Sequence, residues 1–243
     1  MRRDDTKMKT TQAIVLAAGY GSRLVAGGDM PKPLLPVAGR PIVLHILDRL
    51  RRIGIREIGI IVGYRADVMR EALSGEKGVR FFQNDEYDKP NGTSLLKAAS
   101  FVTKPTLLVM SDHLWTVGLG ERLIAFDAPE EDAVLAVDTN IAGCFDLPDA
   151  TKVQTRDSKI VRIGKELGEF DCLDTGVFRI SPALIDALEQ AETENGCSLS
   201  EGVMKLASQK RMWACDVTGE SWIDVDTPEA HAFCEENFES FER

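Results

Sequence analysis

The chain has 243 residues, 44% hydrophobic and 28% charged, a globular composition that excludes a disordered or fibrous protein. Lys plus Arg number 29 against 39 Asp plus Glu, a formal charge of −10, which disfavours a general nucleic-acid binder because phosphate neutralisation needs a basic face. A chain of this length hides roughly 70–75% of its extended surface, so a core needs no staples. Five cysteines, an odd number without CxxC, and no secretory leader point to free thiols in a reducing, cytoplasmic setting. Three dispersed histidines speak against a His-built zinc site, and no apolar run reaches the ~18–20 residues of a membrane span.

Residues 1–10 are charged and aperiodic and read as a tail, with Met8 an alternative start. Residues 11–243 read as one domain. Ala13–Ala17 is a buried strand running into glycines, and Pro41–Ile53 has helical apolar spacing. Strands at Glu57–Val62, Val79–Phe82, Thr106–Met110 and Ala133–Val137 alternate with helices at Ala66–Leu73, Ser94–Val102 and Leu119–Phe126. This βαβα rhythm predicts a mostly parallel but mixed, Rossmann-like α/β sheet with helices on both faces and ligands at the carboxyl ends of its strands. Past residue 145 the rhythm changes. Lys152–Thr155 and Ile160–Ile163 form a hairpin, and Leu173–Ile180 is a strand. Ser181-Pro182 caps a helix and Ser198-Leu199-Ser200-Glu201 is a capping box. Strands at Met212–Val217 and Trp222–Val225 precede a last helix from Thr227-Pro228. The parts divide as 11–140, 145–225 and a C-terminal helix over 227–240.

Two short motifs carry the chemistry. Leu16-Ala17-Ala18-Gly19-Tyr20-Gly21-Ser22-Arg23-Leu24 is a glycine loop after a strand, where amides freed of Cβ obstruction can face phosphate oxygens; by itself it is equally a structural turn. It lacks the third glycine of the dinucleotide fingerprint, where Leu24 stands, and the Walker lysine. Eight residues after Leu24, Pro31-Lys32-Pro33-Leu34 sets a lysine between two prolines, which predicts extended backbone around it. Arg23 as a fork and Lys32 as a point charge suit a triphosphate, though either alone reads as a surface cation. Asp112 ends a buried strand, where a carboxylate is costly without a cation. With Asp224 and Asp226 it makes a set suited to Mg²⁺, Asp226 doubling as a potential helix cap.

Together these motifs resemble the signature of the nucleotidyltransferase superfamily that makes sugar nucleotides and CDP-alcohols. Asn91-Gly92-Thr93-Ser94-Leu95-Leu96, Met110-Ser111-Asp112-His113, Ile163-Gly164-Lys165-Glu166-Leu167, Glu169-Phe170-Asp171-Cys172-Leu173-Asp174-Thr175-Gly176 and Trp222-Ile223-Asp224-Val225-Asp226-Thr227 look like its CTP:inositol-1-phosphate cytidylyltransferase branch. The resemblance runs from about residue 12 to 235. It implies a nucleotidyltransferase fold of glycosyltransferase-A type, with Leu16, Ala17, Ala18, Gly19, Gly21, Ser22, Arg23 and Lys32 on the phosphates. It assigns Gln83, Asn91, Gly92 and Ser94 to the base. Lys165 goes to the acceptor phosphate, with Glu169, Asp174, Thr175 and Gly176 on acceptor or ribose hydroxyls. Mg²⁺ falls to Asp112 with Asp224 or Asp226. Trp213 and Trp222 read as core, Cys172 as packing, and His113 as an orienting neighbour of Asp112.

The reaction expected is transfer of CMP from CTP to inositol 1-phosphate or a similar phosphomonoester. Arg23, Lys32, Asp112 and Lys165 form its charge-stabilising set. A sugar 1-phosphate, phosphocholine or aminoalkylphosphonate acceptor, a UTP donor, and an idle nucleotide-binding regulator are the alternatives.

Overall fold

The computed structural model describes residues 10–21 and 30–242. Among these residues the strands are β1 (Gln12–Ala17), β2 (Pro36–Val37), β3 (Arg40–Pro41), β4 (Glu57–Val62), β5 (Val79–Gln83), β6 (Thr106–Met110) and β7 (His113–Trp115), then β8 (Ala133–Asp138), β9 (Lys152–Arg156), β10 (Lys159–Gly164), β11 (Cys172–Ile180), β12 (Met212–Asp216) and β13 (Trp222–Asp224). The helices are α1 (Ile42–Arg52), α2 (Ala66–Ala72), α3 (Asn91–Leu96), α4 (Val117–Ala125), α5 (Pro182–Ala191), α6 (Leu199–Ser208) and α7 (Pro228–Asn237).

The main sheet runs β5-β4-β1-β6-β11-β8-β12-β10-β9. Its first four strands are parallel. β11 then pairs antiparallel with both β6 and β8, and β9 and β10 close the far edge antiparallel. The sheet is therefore more evenly mixed than the βαβα rhythm predicts, because that rhythm stops near residue 140 and hairpin-type pairing takes over. Both faces are covered, and the central strand shows why. Ala13, Val15 and Ala17 join one core with α1 and α4, while Ile14, Leu16 and Ala18 join the other with α5 and α6. Such two-sided burial requires the unbroken apolar run seen in the sequence.

Several local expectations are met by their stated cause. Ser181 accepts from the Ala183 amide, the Ser198–Glu201 capping box closes in both directions, and Thr227 accepts from Ala230. The β9–β10 hairpin turns through Asp157 and Ser158, both with positive φ (51° and 59°), as a two-residue turn of matching twist requires. Three details differ. Lys32–Leu34 is a turn of 3-10 helix rather than extended chain, closed by Leu34 N–H to Pro31 O at 2.9 Å. The helix expected from Ser94 begins at Asn91, and only a 3-10 turn, Ala99–Phe101, follows it. Gly92 masks that start: its helix propensity is poor, yet a Cβ there would lie 2.6 Å from the Cys197 carbonyl, so packing selects glycine inside the helix. The third difference, strand β7, is too short to show a period.

Among the described residues no helix is long and apolar enough to cross a membrane. The five cysteines are free thiols, and burial pushes the Cys172 thiol well above its ordinary range, as expected of a packed group.

Candidate active site

The site is assembled by two strand pairings. Parallel pairing of β1 with β6 sets Leu16 beside Met110, and Ser111 donates its amide to the Leu16 carbonyl at 3.1 Å. The glycine loop and Asp112 thus leave neighbouring strand ends together. The short β7–β13 pair then carries a segment from the far end of the chain to the same place. Its register sets Asp224 opposite His113, and the Val225 amide donates to the Asp112 carbonyl at 3.0 Å.

Lys32 reaches this junction from beneath the loop. Only 4% exposed, its ammonium lies 2.7 Å from Asp112 Oδ2 and 3.6 Å from Asp224 Oδ1, and also contacts Asp226 Oδ1. Gly21 makes the approach possible: its φ is +60°, and a Cβ there would sit 2.5 Å from Lys32 Cβ. Burial works against an ionised Asp112, but Lys32 and His113 hold its carboxyl far below the usual range. Burial likewise opposes charge on His113, and the Asp224 and Asp112 carboxylates overcome it, raising the imidazole to about 9. His113 Nδ1 therefore donates to Asp112 Oδ1, at 2.9 Å, near neutral pH. Gly176 makes room for that ring, since a Cβ on it would lie 2.5 Å from His113 Cδ2.

Asp112, Asp224 and Asp226 border a cavity of about 750 Å³ at the carboxyl ends of the parallel strands. Lys165, one residue past β10, and Asp174 on β11 enter the same cavity, and Asn91 does so from α3. Lys165 is half exposed and paired with Asp149 at 2.7 Å. Asp174 accepts the Gly176 amide at 2.7 Å, and desolvation pushes it up to about 6 although that amide and His113 favour its charge.

Other expected residues sit elsewhere. Thr175 alternates away from Asp174 and Gly176, fully buried, its hydroxyl donating to the Ala136 carbonyl at 2.9 Å. Glu169 is exposed outside the cavity lining. Gln83 ends β5 exposed, bonded to Arg70 and Asp85 rather than lining the cavity. Ser94 is buried and accepts from Asn84 Nδ2, and Gly92 serves the packing of Cys197. Asn91 does not cap its own helix; its Oδ1 receives the Leu199 amide at the start of α6. Trp222, expected in the core, is partly buried against it and also lines the cavity, with Nε1 on Asp138 Oδ2 at 2.9 Å. Trp213 is half buried, with the Lys159 ammonium over its ring. Ser22 and Arg23 lie outside the described residues. Asp149 escaped the sequence reading altogether: no spacing ties it to residues 75 positions away.

The donor set fits a hard divalent cation. Ligand atoms of Asp149, Asp224 and Asp226 lie within 4.8 Å of one another, and Asp112 and Asp224 meet beside the protonated His113, which orients carboxylates rather than offering a ligand. Carboxylate oxygens predominate, the chemistry Mg²⁺ selects, and a cationic ammonium already occupies the convergence point.

The MobA-like NTP transferase domain matches residues 13–205. The chain belongs to this family. Among its relatives, the bifunctional IPC transferase and DIPP synthase of Rubrobacter xylanophilus is 37% identical over 229 residues, 92% of this chain and 51% of that protein. Its counterpart in Archaeoglobus fulgidus is 33% identical over 92% of this chain and 43% of its own. The CMP-5'-(3-aminopropyl)phosphonate synthase of Streptomyces rubellomurinus is 32% identical over 89% of this chain and 37% of its own. The chain thus spans about half or less of the length of these relatives. In fold, this chain superimposes on the inositol-1-phosphate CTP transferase from T. maritima with a TM-score of 0.81, at 24% identity and over 94% and 98% of the two chains.

Asp174 yields a test of the electrostatics. Its folded pKa, about 6, exceeds the ordinary 3.8, so ionisation opposes folding. The penalty is absent below the ordinary value and complete above the raised one. Asp174→Asn keeps an acceptor for the Gly176 amide without the charge. It is expected to raise the melting temperature by a few degrees at pH 8, about 1–2 kcal/mol after solvent screening, and by less at pH 5. Melting curves of both proteins at the two pH values check this.

Proposed function

We propose that this chain transfers CMP from CTP to a small phosphorylated alcohol, inositol 1-phosphate or a related polyol phosphate, releasing pyrophosphate. One observation carries the reading: Lys32 and three carboxylates meet beside a cavity that Lys165, just past β10, and Asp174, on β11, also line. The name of the CMP-5'-(3-aminopropyl)phosphonate synthase supports a CMP-transferring assignment and keeps an aminoalkylphosphonate acceptor as the second reading.

In this reading an oxygen of the acceptor phosphate attacks the α-phosphorus of CTP while the bond to the bridging oxygen of pyrophosphate breaks. A phosphomonoester whose second pKa is ~6 is already largely a dianion at neutral pH, so no general base is needed, consistent with a site built of charges. The work is to bring two polyanions into line and stabilise the leaving group. Lys32 and the amides around Gly19 and Gly21 serve the triphosphate, with Arg23. Lys165 serves the attacking phosphate, and Asp174 receives an acceptor hydroxyl. His113, protonated, keeps Asp112 ionised and oriented. Mg²⁺, when bound by Asp112 with Asp224 and Asp226, supplies charge neutralisation on the phosphates.

The test crosses four NTPs with inositol 1-phosphate, glucose 1-phosphate, phosphocholine and 3-aminopropylphosphonate, reading pyrophosphate release. CTP with inositol 1-phosphate is expected to be fastest. A preference for UTP, or no release from any pair by a protein that still binds CTP, overturns the reading.

A further inference from the structure

Asp149 stands between two groups that the proposed reaction must bring together. Its Oδ1 takes the Lys165 ammonium at 2.7 Å, and its carboxylate also lies within cation-sharing distance of Asp224 and Asp226. Those two are held from the other side by Lys32, so two lysine–carboxylate pairs meet in the cavity with their carboxylates toward each other, like charges that a cation between them would neutralise. The segment carrying Asp149 is fastened from below. Buried Lys152 donates to the Pro148 carbonyl at 3.0 Å, and the Ala150 amide donates to the Asp146 carbonyl, also at 3.0 Å. The carboxylate is thus presented by a built turn between β8 and β9.

One carboxylate cannot serve both neighbours at full strength. Paired with Asp149, Lys165 has its charge offset and attracts a phosphate weakly. A divalent cation drawn to Asp149, Asp224 and Asp226 neutralises that carboxylate and frees the ammonium. Resting on the reading of Lys165 as the acceptor-phosphate lysine, we propose that Asp149 is a positioning residue that couples cation binding to acceptor binding. Empty of cation, it restrains Lys165; loaded, it releases Lys165 to the incoming phosphomonoester. Linkage makes this reciprocal, so the acceptor also tightens the cation.

The sign of one substitution separates this role from a structural one. Binding of inositol 1-phosphate is measured by calorimetry without nucleotide, with and without saturating Mn²⁺, in the full chain and in Asp149→Asn. In the unaltered protein Mn²⁺ is expected to tighten the phosphomonoester at least fivefold. In Asp149→Asn the phosphomonoester binds at least threefold tighter than normal without Mn²⁺, Mn²⁺ alone binds at least threefold weaker, and the coupling ratio falls toward one. Asp149→Glu, which keeps the charge, retains the coupling. Weaker phosphomonoester binding by Asp149→Asn in the absence of Mn²⁺, or an unchanged coupling ratio, overturns the proposal while leaving the acceptor assignment intact. Failure of the unaltered protein to bind the phosphomonoester at all overturns the acceptor assignment and this proposal together.

Discussion

Lys32→Ala is expected to lower turnover at least ~100-fold and to destabilise the fold at the same time. The second effect follows from its burial: removing the ammonium leaves Asp112, Asp224 and Asp226 facing one another across a partly desolvated junction. Breaking a buried pair from one side typically costs about 3–5 kcal/mol; these carboxylates are 19–33% exposed, so about 2–4 kcal/mol is expected, a melting-temperature drop on the order of 10 °C. Because the loss is electrostatic, Mg²⁺ should restore part of it, and the variant's melting temperature should rise more with Mg²⁺ over EDTA than that of the unaltered protein. Thermal melts in both conditions, with pyrophosphate release alongside, measure all three effects. A variant as stable as its parent in EDTA would show that the carboxylates do not depend on this lysine.

Much of the first half of the fold is legible because its strands β1, β4 and β6 are buried on both faces. The ends of Glu57–Val62 and Thr106–Met110 agree with the sequence reading, since an apolar run bounded by polar residues has little freedom in where it stops. Beyond residue 140 the sequence names the elements but not their pairing. β11 lies between β6 and β8 by tertiary packing that no local period encodes. The same holds for β7, whose three residues acquire strand geometry only through β13.

The site divides in the same way. Lys32, Asp112, Asp224 and Asp226 are marked by context: a charged residue between prolines, or one ending an apolar strand, needs a partner. Side-chain direction is harder to read. Within Asp174-Thr175-Gly176 the strand alternates, so the motif delivers its first and third residues to the cavity and spends Thr175 on the Ala136 carbonyl. Gly92 and Gly176 carry the family pattern yet answer to steric demands, of Cys197 in one case and His113 in the other. Trp222 reads as core because large aromatics usually are, and it does pack against the core; what the sequence does not show is that its indole N–H is spent on Asp138 at the cavity wall.

Asp112→Asn separates charge from shape. The amide oxygen can still accept from His113 Nδ1, and Lys32 retains Asp224 and Asp226, so stability is expected to change by under ~1 kcal/mol. Turnover should nevertheless fall at least ~100-fold, because in the proposed reaction the carboxylate just past β6 carries the charge on which cation and phosphates are arranged. The two variants must also interact. In Lys32→Ala the instability comes from three carboxylates repelling one another, and Asp112→Asn removes one of them. The double variant is therefore expected to melt above Lys32→Ala, a non-additivity of order 1 kcal/mol that a double-mutant cycle resolves. Strict additivity would place the two side chains in separate electrostatic environments, and near-normal turnover by purified Asp112→Asn would remove Asp112 from the reaction.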